Sequence, residues 1–153
     1  MELFSNLSSE EIQKLHDAVA QITILVAGAD GNIDTKEIAA AEKVTQVRSF
    51  SYHETMKSFY ESVNADFSET LTKLLEELPQ GVTERQAALG AMLTDLNPIL
   101  AKLDHHIGRL FYSTFLSLAK HVAKASGGVI GMFSIGTEEK KVIELPMINP
   151  ILD

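Results

Sequence analysis

Residues 8–31 read SSEEIQKLHDAVAQITILVAGADG, and their spacing decides the fold class. Ile12, Leu15, Val19, Ile22 and Val26 recur at alternating intervals of three and four, which gathers them into one apolar stripe on an α-helix. Ser8 followed by Glu11 marks the start of that helix as a capping box: the hydroxyl accepts from the third helical amide, and the carboxylate reaches back to the cap amide. The same device recurs as Asp34 with Glu37, Ser51 with Glu54, Asp66 with Glu69, and Thr83 with Gln86.

Working outward from these starts, helical periodicity predicts helices over 9–27, 35–49, 52–64, 67–78, 84–103, 105–125 and 137–145. The fifth is broken near Asn97-Pro98, because a proline disfavours the helical conformation in the residue before it. The sixth carries Ile107, Phe111, Phe115, Leu118, Val122 and Ala125 on one side. No run shows sustained alternation of period two, so the expected fold is all-α with about seven helices. Pro79-Gln80-Gly81 is the turn between a first half, about 1–78, and a second, about 83–153. The halves echo one another. Ala27-Gly28-Ala29-Asp30-Gly31 before Thr35-Lys36-Glu37 is matched by Ala123-Lys124-Ala125-Ser126-Gly127 before Thr137-Glu138-Glu139, with six extra, Gly-rich and apolar residues in the second turn.

The chain has 153 residues, a length suited to one domain, and 45% hydrophobic residues, enough for a sizeable core. Its net charge of −8 is unevenly spread: residues 1–77 hold 14 acids and 6 bases, residues 78–153 hold 7 of each. Lys and Arg are scattered rather than gathered on one face, which argues against binding nucleic acid or an anionic membrane. The absence of cysteine excludes disulfides, thiolate nucleophiles and cysteine-ligated metals. The longest uncharged stretch, Ala125 to Thr137, is far short of the roughly 20 residues that span a bilayer, and Met1 to Ser9 lack the pattern of a secretion signal. A cytoplasmic location with no stable membrane insertion is the expectation.

The string Asp30-Gly31-Asn32-Ile33-Asp34-Thr35-Lys36-Glu37 is the most informative for chemistry. It has the form of the last eight positions of an EF-hand loop, in which hard carboxylate oxygens face a divalent cation. The two earlier ligand positions fall on Val26 and Gly28, which have no oxygen side chain, so a true EF-hand is not expected. Helix capping accounts for much of the string: Gly31 ends one helix, Asp34 caps the next, Glu37 completes the box and Ile33 acts as the staple. Capping leaves Asp30 over. Three carboxylates in one tight turn repel one another unless a cation or a basic neighbour compensates, which keeps an ion site open.

A hydrophobic helix ending in Ala-Gly-Ala-Asp-Gly, then Ile-Asp and a Glu three residues further on, resembles the tellurite-resistance TerB family and its TerB-like relatives. The resemblance covers most of the chain. It implies an all-α TerB-like bundle made of two pseudo-repeated helix-pair halves over 1–153, bacterial, cytoplasmic and non-enzymatic, with clustered acidic side chains that bind a divalent cation, calcium or magnesium. By position it assigns Asp30, Asp34 and Glu37 to the first turn and Glu139 with neighbouring Glu138 to the second. The chain departs from the family pattern at Ser126, where the second copy should repeat Asp, and in the six extra residues. The implied role is a stress-response module that binds an ion, a protein partner or a second copy of itself.

Other residue groups read more plainly. Asp104-His105-His106 is a capping Asp with solvated histidines, since adjacent helical residues point about 100° apart and rarely meet one ion. His121, beside the apolar stripe of its helix, reads as a half-buried, hydrogen-bonded side chain. No Gly-x-Ser-x-Gly elbow and no phosphate-binding Gly-Lys-Ser/Thr loop is present. Two alternatives from other classes follow. One is a metal-dependent hydrolase using Glu37, Glu139 and a His around one cation. The other is a sensor or assembly domain whose apolar loop 128–136, with Met132 and Phe133, takes up a partner or an apolar ligand.

Overall fold

The computed structural model describes residues 4–29, 38–39, 42–43, 54–126 and 142–151. Among them the regular structure is helical, with no strand. The helices are α1 (Ser9–Ala27), α2 (Glu54–Glu77), α3 (Val82–Thr94), α4 (Leu96–Lys102) and α5 (His105–Ser126). Most of the predicted helix 35–49 and of 137–145 lies outside the described residues, as do the second turn and loop 128–136.

Helix α1 is the axis of the molecule. Its first half shows the expected stripe, but from Ala18 to Ala27 every residue except Gln21 is buried, because α2, α3 and α5 all pack against it. The run Ile22-Thr23-Ile24-Leu25-Val26-Ala27 is apolar on every side of the helix save Thr23, whose hydroxyl donates to the Val19 carbonyl at 2.8 Å and so enters the core with its polar group satisfied. At its amino end the Phe4, Phe59, Phe111 and Phe115 rings form a chain of contacts with centroids 4.9–6.4 Å apart. Tyr60 joins them edge-on against Phe59, and its hydroxyl meets Thr114 Oγ1 at 2.7 Å in the fully buried core.

Two expected helix boundaries moved. The predicted helices 52–64 and 67–78 are one helix, α2, with a kink at Asp66 (φ −133°, ψ 22°), the residue expected to cap the second of them. The run 84–103 does break, but at Asp95 rather than at Asn97-Pro98. Pro98 has no amide to offer the Thr94 carbonyl, so the ladder fails four residues upstream of the proline, and Pro98 itself sits in the first turn of α4 where no intrahelical amide is needed. Asn97 then serves the carboxyl-terminal segment: its amide donates to the Met147 carbonyl at 3.0 Å and its carbonyl accepts from the Asn149 amide at 2.7 Å. This tie helps seat Leu145 and Ile148, both buried, against the core, although Leu145 must adopt a left-handed backbone (φ 47°) to do so.

Candidate functional site

The carboxylates singled out from sequence, Asp30, Asp34, Glu37, Glu138 and Glu139, lie outside the described residues. What is described is the base from which the first acidic turn departs. Helix α1 ends at Ala27 and is capped by Gly28, whose amide donates to the Ile24 carbonyl at 2.8 Å. The helix ends at Ala27, as the periodicity predicts, with Gly28 as its cap in place of Gly31, three residues on.

Two side chains of α3 hold this end. Arg85 Nη2 donates to the Gly28 carbonyl at 2.8 Å, and Gln86 Nε2 donates to the Leu25 carbonyl at 3.0 Å. The last carbonyls of a helix have no intrahelical donor and carry the negative end of its dipole, so a guanidinium and an amide are well matched to them. Arg85 is only 7% exposed, and its guanidinium lies so close over Gly28 that a β-carbon there would approach Nη2 to 2.6 Å. Gly28 is required by that close approach, since its φ of −97° is open to any residue. Gln86 was expected to complete a capping box with Thr83. Instead α3 starts at Val82 with Gly81 as its cap and no side-chain hydrogen bond there, and Gln86 spends its amide on α1.

A second polar cluster lies at the other end of α1, in a groove of about 400 Å³ between α1 and α2 lined by Gln13, Asp17, Asp66, Glu69, Lys73 and Glu77 among others. His16, buried at 9% exposure, lies beside Asp17 and Asp66 of its lining. The Nδ1 side of the ring faces Asp17 Oδ1 at 3.3 Å, and Nε2 donates to the Ser62 carbonyl at 3.3 Å. Nε2 also stands 3.0 Å from Asp66 Oδ1, a buried oxygen that accepts no hydrogen bond, so this last contact is not a directed bond and becomes an ion pair when the ring is protonated. The hydrogen bond to Asp17 raises the His16 pKa above 6.5; burial works against this, and the Asp66 charge and the Ser62 carbonyl add to it. Asp17 is held below the ordinary carboxylate value: burial pushes it up, but hydrogen bonds from His16 and Gln13 outweigh that. On the Nδ1 side a donor, Gln13 Nε2 at 3.4 Å, stands beside the Asp17 acceptor, while Nε2 is turned to the Ser62 carbonyl and Asp66; when protonated, the ring has no lone pair to give to a metal or to take a substrate's proton. Among the described residues no three His, Asp or Glu side chains converge to hold a metal ion.

No family model matches the chain, and no curated protein or solved structure matches it either.

The remaining predicted groups fall on α5. His105 and His106 are exposed at its start, as expected beside Asp104, whose carbonyl accepts from the Gly108 amide at 2.9 Å. His121 is exposed rather than half-buried, with Nδ1 2.7 Å from the Ser117 carbonyl one turn back. It borders a shallow basic groove with Arg109, Tyr112, Leu116, Lys120 and Lys124. Sequence reasoning missed both His16 and Arg85. A signal existed for His16: it follows Ile12 by four and precedes Val19 by three, so it falls on the buried face of α1. For Arg85 there was none, because its partner is 57 residues away.

Proposed function

We propose that the chain is a non-enzymatic, cytoplasmic helical module of the TerB-like kind, with about seven helices in two pseudo-repeated halves, that serves tellurite or chemical-stress resistance. It does so by binding a divalent cation, calcium or magnesium, or a protein partner, through its acidic inter-helix turns. Asp30, Asp34 and Glu37 act in the first turn, and Glu138 with Glu139 in the second. The observation that carries this reading is the anchoring of the carboxyl end of α1, where Arg85 and Gln86 hold the Gly28 and Leu25 carbonyls. A binding turn is only as well ordered as the elements it leaves from, and this one leaves from a buried, doubly held helix end.

Thermal melts with and without calcium, magnesium or manganese test this. A ligand that binds only the folded state raises the midpoint, and the expected rise is lost in Asp30→Ala and in Asp34→Ala. If the midpoint ignores all three cations, the ion site is refuted and the carboxylates serve only as helix caps.

A further inference from the structure

Helix α2 bends at Asp66, and His16 of α1 reaches its backbone at that bend. In an unbroken helix the Ser62 carbonyl would take the Asp66 amide, four residues on. Here that carbonyl accepts from His16 Nε2, and Asp66 departs from helical geometry (φ −133°, ψ 22°). A side chain reaching into the backbone ladder is one of the few recognised origins of a helix kink. The same ring nitrogen is what stands against Asp66 Oδ1, the buried oxygen that accepts no hydrogen bond, so a protonated ring places its positive charge 3.0 Å from it.

We propose that His16 is a proton-operated latch: as the imidazolium it fastens α1 to the bend of α2 at Asp66, and on losing its proton it lets the bend loosen. The imidazolium donates from both nitrogens, to Asp17 on one side and to the Ser62 carbonyl on the other, while its charge balances Asp66. The neutral ring has one N–H: kept on Nε2 it still donates to the Ser62 carbonyl while Nδ1 turns from Asp17 to accept from Gln13 Nε2 at 3.4 Å, but the buried Asp66 oxygen then has neither a hydrogen bond nor a counter-charge.

Among the described residues, the charged and polar groups around the ring are these. On α1 these are Asp17 and the neutral Gln13, which donates to Asp17 Oδ1 at 2.8 Å. Helix α2 supplies Asp66, with Lys73 acting on Asp17 and with Glu69 and Glu77 further along the groove. From residues 42–43, Glu42 Oε1 accepts from Ser68 at 3.5 Å, just beyond the bend, and adds a further negative charge. The cations that α3 and α4 bring to α1 act elsewhere along it, Arg85 at Gly28 and Lys102 at Glu11, and α5 meets α1 through an apolar face.

The sign follows from the direction of the shift. A histidine whose pKa is raised by folding contributes stability that is complete below about pH 6.5 and is lost as the pH climbs through its folded value. The latch is therefore closed below about pH 6.5 and opens as the pH climbs through the folded value.

Two measurements on the full chain test this. An NMR titration of the histidine rings should place the His16 midpoint above 6.5 and bring it down in Asp66→Asn. Amide exchange of residues 64–70, taken relative to amides of α5 to remove the intrinsic pH dependence, should quicken several-fold across that same midpoint in the wild type. In His16→Gln, which keeps a donor but cannot change its charge, that dependence should vanish. A His16 midpoint at or below 6.5, or a ratio that stays flat through the titration, overturns the proposal, as does a pH dependence that survives in His16→Gln. If His16→Gln does not fold, the wild-type titration and Asp66→Asn decide alone.

Discussion

The two ends of α1 solve the same problem by opposite means. At the amino end, Ser8 Oγ accepts from the Glu11 amide at 3.2 Å and Glu11 Oε1 accepts from the Ser8 amide at 2.9 Å, so residues three apart satisfy each other in solvent. At the carboxyl end, the Leu25 and Gly28 carbonyls are satisfied by Gln86 and Arg85, 61 and 57 residues away and largely out of water. The first device costs little and can be replaced by solvent. The second cannot, because an unpaired polar group away from water carries its full desolvation penalty. The helix is thus capped cheaply where it is exposed and by tertiary contact where it is buried.

The largest effect should come from breaking the buried end. Arg85→Ala removes the donor to the Gly28 carbonyl and opens a cavity, and a loss of about 2–3 kcal/mol is expected in denaturant unfolding. Arg85→Met separates charge from packing. Among the described residues Arg85 has one neutral carbonyl as its bonded partner, and its Nε is buried without an acceptor. An apolar chain of similar length should therefore recover part of the loss, as replacements of buried ions by apolar groups often do. If Met is as damaging as Ala, the hydrogen bond and not the packing is what holds the helix end.

Gly28→Ala sharpens the same point. The new β-carbon would meet Arg85 Nη2 at 2.6 Å, and the guanidinium, being buried, has little room to retreat. We expect a cost of about 1–2 kcal/mol in the wild type and much less in Arg85→Ala, a coupling that a double-mutant cycle reads directly. Additive losses would mean that Gly28 serves the backbone of the turn and not the approach of Arg85.

How much of this was legible follows the same division. The Ser8–Glu11 box, the limits 9–27 of α1 and the position of the Asp66 bend were readable because each depends on residues within one or two turns. Thr83–Gln86 has the same local pattern as Ser8–Glu11, yet Gln86 is drawn to the Leu25 carbonyl, since a buried acceptor without a donor outweighs a solvent-exposed cap amide. The break at Asp95 is displaced from Pro98 by one helical turn because the missing amide is felt at its partner, Thr94. Burial of α1 on all sides was half visible, in the run Ile22–Ala27, but an apolar stripe drawn on one helix does not say how many neighbours will cover it. Local composition likewise marked the acidic turn and could not reveal the guanidinium at its base.

The smallest effects belong to the exposed end. Ser8→Ala should cost about 1 kcal/mol, the usual worth of a lost cap hydroxyl. Glu11 also pairs with Lys102 Nζ at 2.5 Å, so the cap is tied to the end of α4 as well as to its own helix. The Lys102 hydrogen bond and the Ser8 amide together hold the Glu11 carboxyl below its usual 4.5. A carboxylate whose pKa is lowered by folding stabilises the protein above its unfolded value, and that contribution is lost as the pH falls through the folded one. Melts taken from neutral pH down through the carboxylate range should therefore show Lys102→Ala and wild type converging in acid, where Glu11 is protonated in both. They should converge again at about 1 M salt, which screens an exposed pair. Arg85→Ala should do neither, because its lost bond is buried and its acceptor is a carbonyl that does not titrate. If the Lys102 effect instead persists in acid and in salt, the pair acts through packing of the lysine stem, and the two ends of α1 differ less than their exposure suggests.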